Sequence, residues 1–185
     1  MNIPRHVAER RRQAALKGLP APKFVVSRTY ALKAMSREDV KQFVRTMEDP
    51  TRVAIVSIAG VGTNEGHPRF PSGSRILRTR FNDIVAAGEG NPRAVLFTAR
   101  QAGRILRFVE RLPAHIEMLI VHCWGGASRS RAIVSALRRL RGEDDLQEFI
   151  DGDPNPHVYR TMLDVAVTRV LHVEALATSR KVDVL

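Results

Sequence analysis

Cys123 is the only cysteine of the 185-residue chain, and the residues that follow it could give it a chemical role. Small residues come after it, and Arg129 lies six positions further on. A phosphate held in such a loop would meet a thiolate able to attack phosphorus and a guanidinium able to bind two oxygens at once. The alternative is a structural cysteine buried in a tight turn, as free cysteine often is. That alternative leaves the arginine at this spacing unexplained.

The segments on either side of this loop are predicted to be a strand and a helix. Residues 117–121 form a short apolar run typical of a buried strand, and apolar residues recur at helical spacing over 131–140. Backbone N–H groups and the positive end of a helix dipole favour an anion between two such elements. The same surroundings favour the thiolate form of a cysteine. The loop is therefore expected to hold a phosphate and to supply the nucleophile.

The pattern His-Cys-x-x-Gly-x-Ser-Arg-Ser over residues 122–130 resembles the signature of the cysteine-dependent protein tyrosine phosphatases, in the form typical of the dual-specificity branch. The resemblance implies that Cys123 forms a phosphocysteine, that Arg129 clamps the phosphate and that Ser130 stabilises the departing thiolate. His122 is expected to brace the loop. The expected substrate-binding residues are those that follow the cysteine: Trp124, Gly125, Gly126, Ala127, Ser128 and Arg129. Trp124 is predicted either to meet a substrate ring at the mouth of the site or to pack against the domain.

A general acid is the remaining part that the resemblance implies. In this family an aspartate lies on a loop just after a strand, a few tens of residues before the cysteine. Asp83 follows the predicted strand 75–81 and precedes Cys123 by 40 residues, so Asp83 is the predicted acid. Glu89 in the same loop is the rival, and a loop-capping role is the alternative for Asp83.

A second, weaker match lies after the signature. Dual-specificity phosphatases carry a Pro-Asn turn that opens their last core helix, and Pro154-Asn155 resembles it, although Pro156 and His157 depart from the usual residues. The acidic residues of segment 151–157 also suggest a calcium loop, but the other ligands of such a loop are absent at the required spacing. The turn is therefore the preferred interpretation.

Composition limits the class of protein. The formal net charge is +11, with 44% hydrophobic and 26% charged residues, which is typical of a globular chain attracted to anionic partners. A phosphorylated protein is the expected partner; nucleic acid and acidic lipid are permitted by charge but supported by no motif. We expect no disulfide, metal or cofactor, no transmembrane segment or signal peptide, and a cytoplasmic location. The oligomeric state is left open.

The pattern of elements predicts an α/β fold with a central, mainly parallel sheet flanked by helices, as in the protein tyrosine phosphatases. Residues 1–23 are interpreted as a basic extension and residues 24–185 as the phosphatase-like domain. Strands are expected at 24–27, 52–58, 75–81 and 117–121. Helices are expected after the capping residues Ser36 and Thr98, after the signature, near 146–150 and from 158 to 171.

Two basic or titratable features receive no site role. His67, in the loop 59–74, is interpreted as a solvated loop histidine. The arginines at 100, 104, 107 and 111 follow one flank of a predicted helix, and a solvated face is favoured over a nucleic-acid site.

The predicted function is hydrolysis of phosphate monoesters: phosphotyrosine on proteins, with phosphoserine and phosphothreonine as further candidates. The alternatives are a phosphatase acting on RNA 5′ ends, nucleotides or phosphoinositides, and a catalytically silent phosphate-binding module. A rhodanese-like or arsenate-reducing protein is a third alternative. The Ser-Arg-Ser ending favours phosphatase over this last class, and no second cysteine is present to resolve a disulfide.

Overall fold

The computed structural model describes residues 3–19, 30–64, 66–89 and 92–182, with side chains described as far as residue 169. Four strands form one sheet in the order β1-β4-β2-β3, and every neighbouring pair is parallel. They are β1 (Ala31–Met35), β2 (Val53–Ala59), β3 (Arg75–Arg80) and β4 (Met118–His122). The predicted α/β class with a mainly parallel sheet is confirmed.

Helices connect and cover these strands. In chain order they are α1 (Arg5–Leu16), α2 (Arg37–Arg45), α3 (Ala99–Glu110), α4 (Arg129–Leu140), α5 (Leu146–Asp151) and α6 (Pro156–Val182). Capping boxes begin α2 at Ser36 and α3 at Thr98, as predicted. Each box satisfies N–H groups that the first turn of a helix leaves without partners. None of the described helices is long and apolar enough to cross a lipid bilayer.

The two central strands explain why the sheet is covered on both faces. All seven residues of β2 are buried, which is typical of a parallel strand between two layers. Its alternate residues Val56 and Ile58 join the large apolar cluster formed with α3, α4 and α6. Val53 and Ile55 face the smaller cluster closed by Val40 of α2. Helices therefore cover both faces, as predicted, but unequally.

The first strand differs from the prediction. The expected strand at 24–27 lies outside the described residues, and β1 instead spans Ala31–Met35, a segment without a predicted role. Only Leu32 and Met35 of β1 are fully buried, and Lys33 lies exposed between them. A short edge strand with a central lysine has too weak an apolar pattern to be recognised.

Part of the predicted basic extension is an ordered helix. Ala8 and Ala15 of α1 are buried, and the Arg12 guanidinium Nε donates to the buried Asp145 carboxylate at 2.6 Å. The Ile3 N–H donates to the Ile150 carbonyl at 2.8 Å. Residues 3–16 therefore pack against α5 and α6, while the division of the chain at residue 23 stays a prediction.

Candidate active site

The loop from Cys123 to Ser128 joins the end of β4 to the start of α4, as the sequence predicts. Cys123 is only 2% exposed at the carboxyl edge of the sheet, where parallel α/β sheets bind ligands. The Gly126 N–H donates to its Sγ at 3.3 Å, and the Ser130 hydroxyl lies at the same distance. These two contacts hold the sulfur at the base of the loop.

The N-terminus of α4 is left without a side-chain cap. Ser128 occupies the cap position but makes no capping hydrogen bond; its hydroxyl donates instead to Asp83 Oδ1 at 2.8 Å. The first N–H groups of a helix lack intrahelical partners and carry the positive end of the dipole. This end of α4 therefore retains the capacity to bind an oxyanion next to Cys123.

The junction between β1 and α2 supports the loop from beneath. The Cys123 N–H donates to the Met35 carbonyl at 3.4 Å, and the Arg37 N–H donates to the Trp124 carbonyl at 3.0 Å. Gly126 has φ +73°, and a Cβ there would lie 2.4 Å from the Ser36 nitrogen. Glycine is required at this position for two reasons, its backbone conformation and the closeness of the neighbouring chain.

Replacing Gly126 by alanine should therefore lower both stability and activity. The left-handed backbone and the overlap with backbone atoms of Met35 and Ser36 together cost about 3 kcal/mol of unfolding free energy. Urea unfolding and hydrolysis of an aryl phosphate measure the two effects. Gly125→Ala is the matched control, because a Cβ there meets no atom within 4 Å; its stability should stay within about 0.5 kcal/mol of the wild type. Equal effects of the two changes would contradict this account.

Arg129 is the first residue of α4 and is buried, with 5% of its surface exposed. Its Nη1 donates to the Phe81 carbonyl at 3.0 Å, which fixes the guanidinium beside the loop that follows β3. Its Nε lies 4.0 Å from Asp83 Oδ2. The predicted phosphate clamp and the predicted acid are therefore neighbours in space, although 46 positions separate them in the chain.

Asp83 is held at the catalytic loop by two donors. Its Oδ1 accepts from the Ser128 hydroxyl at 2.8 Å and from the Asn155 amide at 2.9 Å. Its side chain is 40% exposed, so a leaving group could reach it. The rival Glu89 is occupied elsewhere, because its Oε2 accepts the N–H groups of Val85 and Ala86 at 2.8 and 3.2 Å.

Asn155 is a site residue to which the sequence analysis gave no catalytic role. Its Oδ1 accepts a hydrogen bond from the Val158 N–H, in the first turn of α6, at 3.1 Å. Its Nδ2 donates a hydrogen bond to Asp83. The Pro-Asn turn predicted at 154–155 thus contacts both the first turn of α6 and the predicted acid. The same turn meets the catalytic loop, since the Asp153 N–H donates to the Ala127 carbonyl at 2.9 Å.

His122 is buried in a chain of hydrogen bonds that the sequence did not reveal. Its Nε2 lies 2.7 Å from the Ser57 hydroxyl, which lies 2.8 Å from His67 Nδ1. Burial lowers the pKa of His122 to about 4, and burial together with nearby arginines lowers the pKa of His67. His122 is therefore neutral at physiological pH. The interpretation of His67 as a solvated loop residue is wrong, because its ring is half-buried against β2.

Trp124 is the most exposed large apolar side chain in the described part of the chain, at 54%. The Arg37 guanidinium lies 5.1 Å from the centre of its ring. An exposed indole beside the catalytic loop is suited to meet a substrate ring. Over the same described residues, no three His, Cys, Asp or Glu side chains group closely enough to hold a metal ion.

Comparisons with known proteins concern the fold. No protein-family model matches the chain, and no curated protein sequence matches it. Among solved structures, OH1 from the Orf virus, a tyrosine phosphatase with distinct structural features and triple substrate specificity, is similar at 14% identity and a TM-score of 0.49. That similarity covers 88% of this chain and 99% of OH1. Tk-PTP in its active form is similar at 19% identity and a TM-score of 0.42, over 79% of this chain and 93% of that one.

At such identities, and with TM-scores below 0.5, the likeness concerns the arrangement of the backbone. The chemistry of the site depends on the side chains of this chain.

Proposed function

We propose that this protein is a cysteine-dependent phosphatase that hydrolyses phosphotyrosine on proteins through a phosphocysteine intermediate. The observation that carries the proposal is the convergence of three side chains from different elements. Cys123 directly follows β4 and Arg129 begins α4. Asp83 lies 4.0 Å from the Arg129 Nε and accepts a hydrogen bond from Ser128, in the loop between these two residues. Each of these side chains can perform one of the tasks that phosphate-ester hydrolysis requires.

In the first step the Cys123 thiolate attacks phosphorus, so that an S–P bond forms while the bond from phosphorus to the leaving oxygen breaks. The N–H groups of residues 124–129 and the Arg129 guanidinium bind the phosphoryl oxygens, where charge develops. Protonated Asp83 transfers its proton to the leaving oxygen, a contribution of roughly 10²- to 10⁴-fold. The first product is the dephosphorylated alcohol or phenol.

In the second step a water molecule attacks the phosphocysteine. Asp83, now a carboxylate, accepts a proton from the water as the new P–O bond forms and the S–P bond breaks. The Ser130 hydroxyl, 3.3 Å from Sγ, donates to the departing thiolate. Inorganic phosphate leaves, and Cys123 returns to its starting form. Because the chemistry needs a reduced thiol, a reducing compartment such as the cytoplasm belongs to the proposal.

A substrate panel tests the proposal. Phosphotyrosine, phosphoserine and phosphothreonine peptides, a 5′-phosphorylated RNA and a phosphoinositide are each offered to the full chain, and phosphate release is measured. We expect release from the phosphotyrosine peptide to be the fastest, to be inhibited by vanadate and to be insensitive to EDTA. Hydrolysis of the RNA or the phosphoinositide, together with no hydrolysis of the phosphopeptides, would overturn the protein-phosphatase assignment. Vanadate binding without turnover of any substrate would identify a phosphate-binding module instead.

A further inference from the structure

A basic cavity of about 420 Å³ lies beside the catalytic loop, between α2 and the segment 67–69. Four of its lining side chains are cations, and a histidine joins them: Arg37, Lys41, Arg45, Arg69 and His67. Within the described parts of the chain, the one carboxylate that pairs with any of these cations is Glu38, which lies 2.9 Å from Lys41 on the exposed face of α2. The cavity is therefore strongly positive and open to solvent.

One wall of this cavity contacts the loop 123–128, and the other is linked to His122, the residue before that loop. On the α2 side, Arg37 binds the Trp124 carbonyl through its N–H and lies against the Trp124 ring through its guanidinium. On the other side, His67 is linked through Ser57 to His122, whose ring lies 5.7 Å from that of Phe70. A group bound in the cavity would therefore lie close to the loop that begins at Cys123.

The charge of this cavity is not balanced within the protein. Some arginines of the described chain pair with carboxylates: Arg131 and Arg138 with Glu148, and Arg169 with Glu110. Among the described residues, the guanidinium groups of Arg37, Arg45 and Arg69 form no ion pair, and the buried Nε of Arg37 has no hydrogen-bond partner. Unpaired guanidinium groups lining a concave site attract and bind an anion.

We propose that this cavity binds an acidic side chain next to the phosphoresidue, so that acidic phosphopeptides are the preferred substrates. The proposal rests on the phosphatase function above and names its substrate class. A phosphotyrosine peptide carries groups that complement this surface: its aromatic ring can pack against exposed Trp124, and its carboxylates can pair with the adjacent cations. A bilayer is disfavoured, because the large exposed apolar side chains of the described residues are only Val85, Val95 and Trp124.

The experiment compares two phosphotyrosine peptides of equal length, one with glutamates on both sides of the phosphotyrosine and one with glutamines. We expect the wild type to turn over the acidic peptide with a kcat/KM about tenfold higher, mainly through KM, since the flanking group lies away from the reacting atoms. Added salt should reduce this preference, because the contacts are exposed. The double variant Arg45→Gln, Arg69→Gln should bring the ratio close to one.

Arg104→Gln with Arg111→Gln is the matched control. These two arginines line a separate basic groove between α3 and β3, so the variant loses the same charge at a different place. It should keep the preference for the acidic peptide. An equal loss of preference in both double variants would overturn a local subsite in favour of a general effect of net charge.

A second readout separates this proposal from the phosphatase function. Trp124 is the only tryptophan of the chain, so its fluorescence in the Cys123→Ser variant reports peptide binding without turnover. Tighter binding of the acidic peptide, lost in the Arg45 and Arg69 double variant, supports the cavity even if no peptide is hydrolysed. Equal affinities and equal kcat/KM values for both peptides would overturn the subsite while leaving the phosphatase function intact. A phosphoinositide or RNA that outcompetes the acidic peptide through Arg45 and Arg69 would also overturn it.

Discussion

Replacement of Cys123 by serine is expected to lower kcat for phosphotyrosine hydrolysis by roughly 10⁴-fold or more, the scale on which loss of a nucleophile acts in hydrolases. A serine hydroxyl stays protonated at neutral pH. Among the described residues, the hydrogen-bond neighbours of the Cys123 sulfur are the Gly126 N–H and the Ser130 hydroxyl, neither of which is a histidine base. Those groups stabilise an anion but do not accept a proton from serine. The variant therefore lacks an attacking anion.

Binding should survive this change. The loop N–H groups and Arg129 do not depend on the sulfur, so the serine variant should bind tungstate with an affinity close to that of the wild type. Calorimetric titration measures this, and acid quenching of the wild type during turnover should trap phosphate on the protein. The assignment of the nucleophile would be wrong if the serine variant kept full activity, or if trapped phosphate were found on a residue other than Cys123.

Asp83→Asn carries the second largest effect, a loss of roughly 10²- to 10⁴-fold in kcat for phosphotyrosine peptides. An asparagine oxygen still accepts from Ser128 and Asn155, so the loop keeps its geometry while the transferable proton is lost. The loss should depend on the leaving group. It should be much smaller for p-nitrophenyl phosphate, whose phenolate departs without a proton, than for phosphotyrosine.

Glu89→Gln is the control for this prediction. Glutamine at 89 can still accept the N–H groups of Val85 and Ala86, so the loop is preserved and turnover should remain near the wild-type rate. If the Glu89 variant, and not the Asp83 variant, lost activity in proportion to the basicity of the leaving group, the general acid would be Glu89.

Local features of this protein could be predicted because their causes lie close together in the chain. The strand before Cys123 follows from the apolar run 117–121, and the helix after it follows from the apolar spacing over 131–140. The capping boxes at Ser36 and Thr98 involve residues three positions apart. The edge strand β1 could not be recognised, because its pairing with β4 depends on residues 87 positions away, as in Ala31 opposite Met118.

The sequence by itself determined the placement of Cys123 and Arg129 at the two ends of one loop, because they belong to one strand–loop–helix unit whose geometry is local. Only the tertiary structure decided what surrounds them. Asp83 reaches the loop through Ser128, 45 positions away, and Asn155, 72 positions away, contacts that depend on strand order. The same packing brings α2 and the segment 67–69 together around the basic cavity. The spacing of residues along the chain does not indicate these long-range contacts, because they arise from the burial of apolar faces elsewhere in the fold.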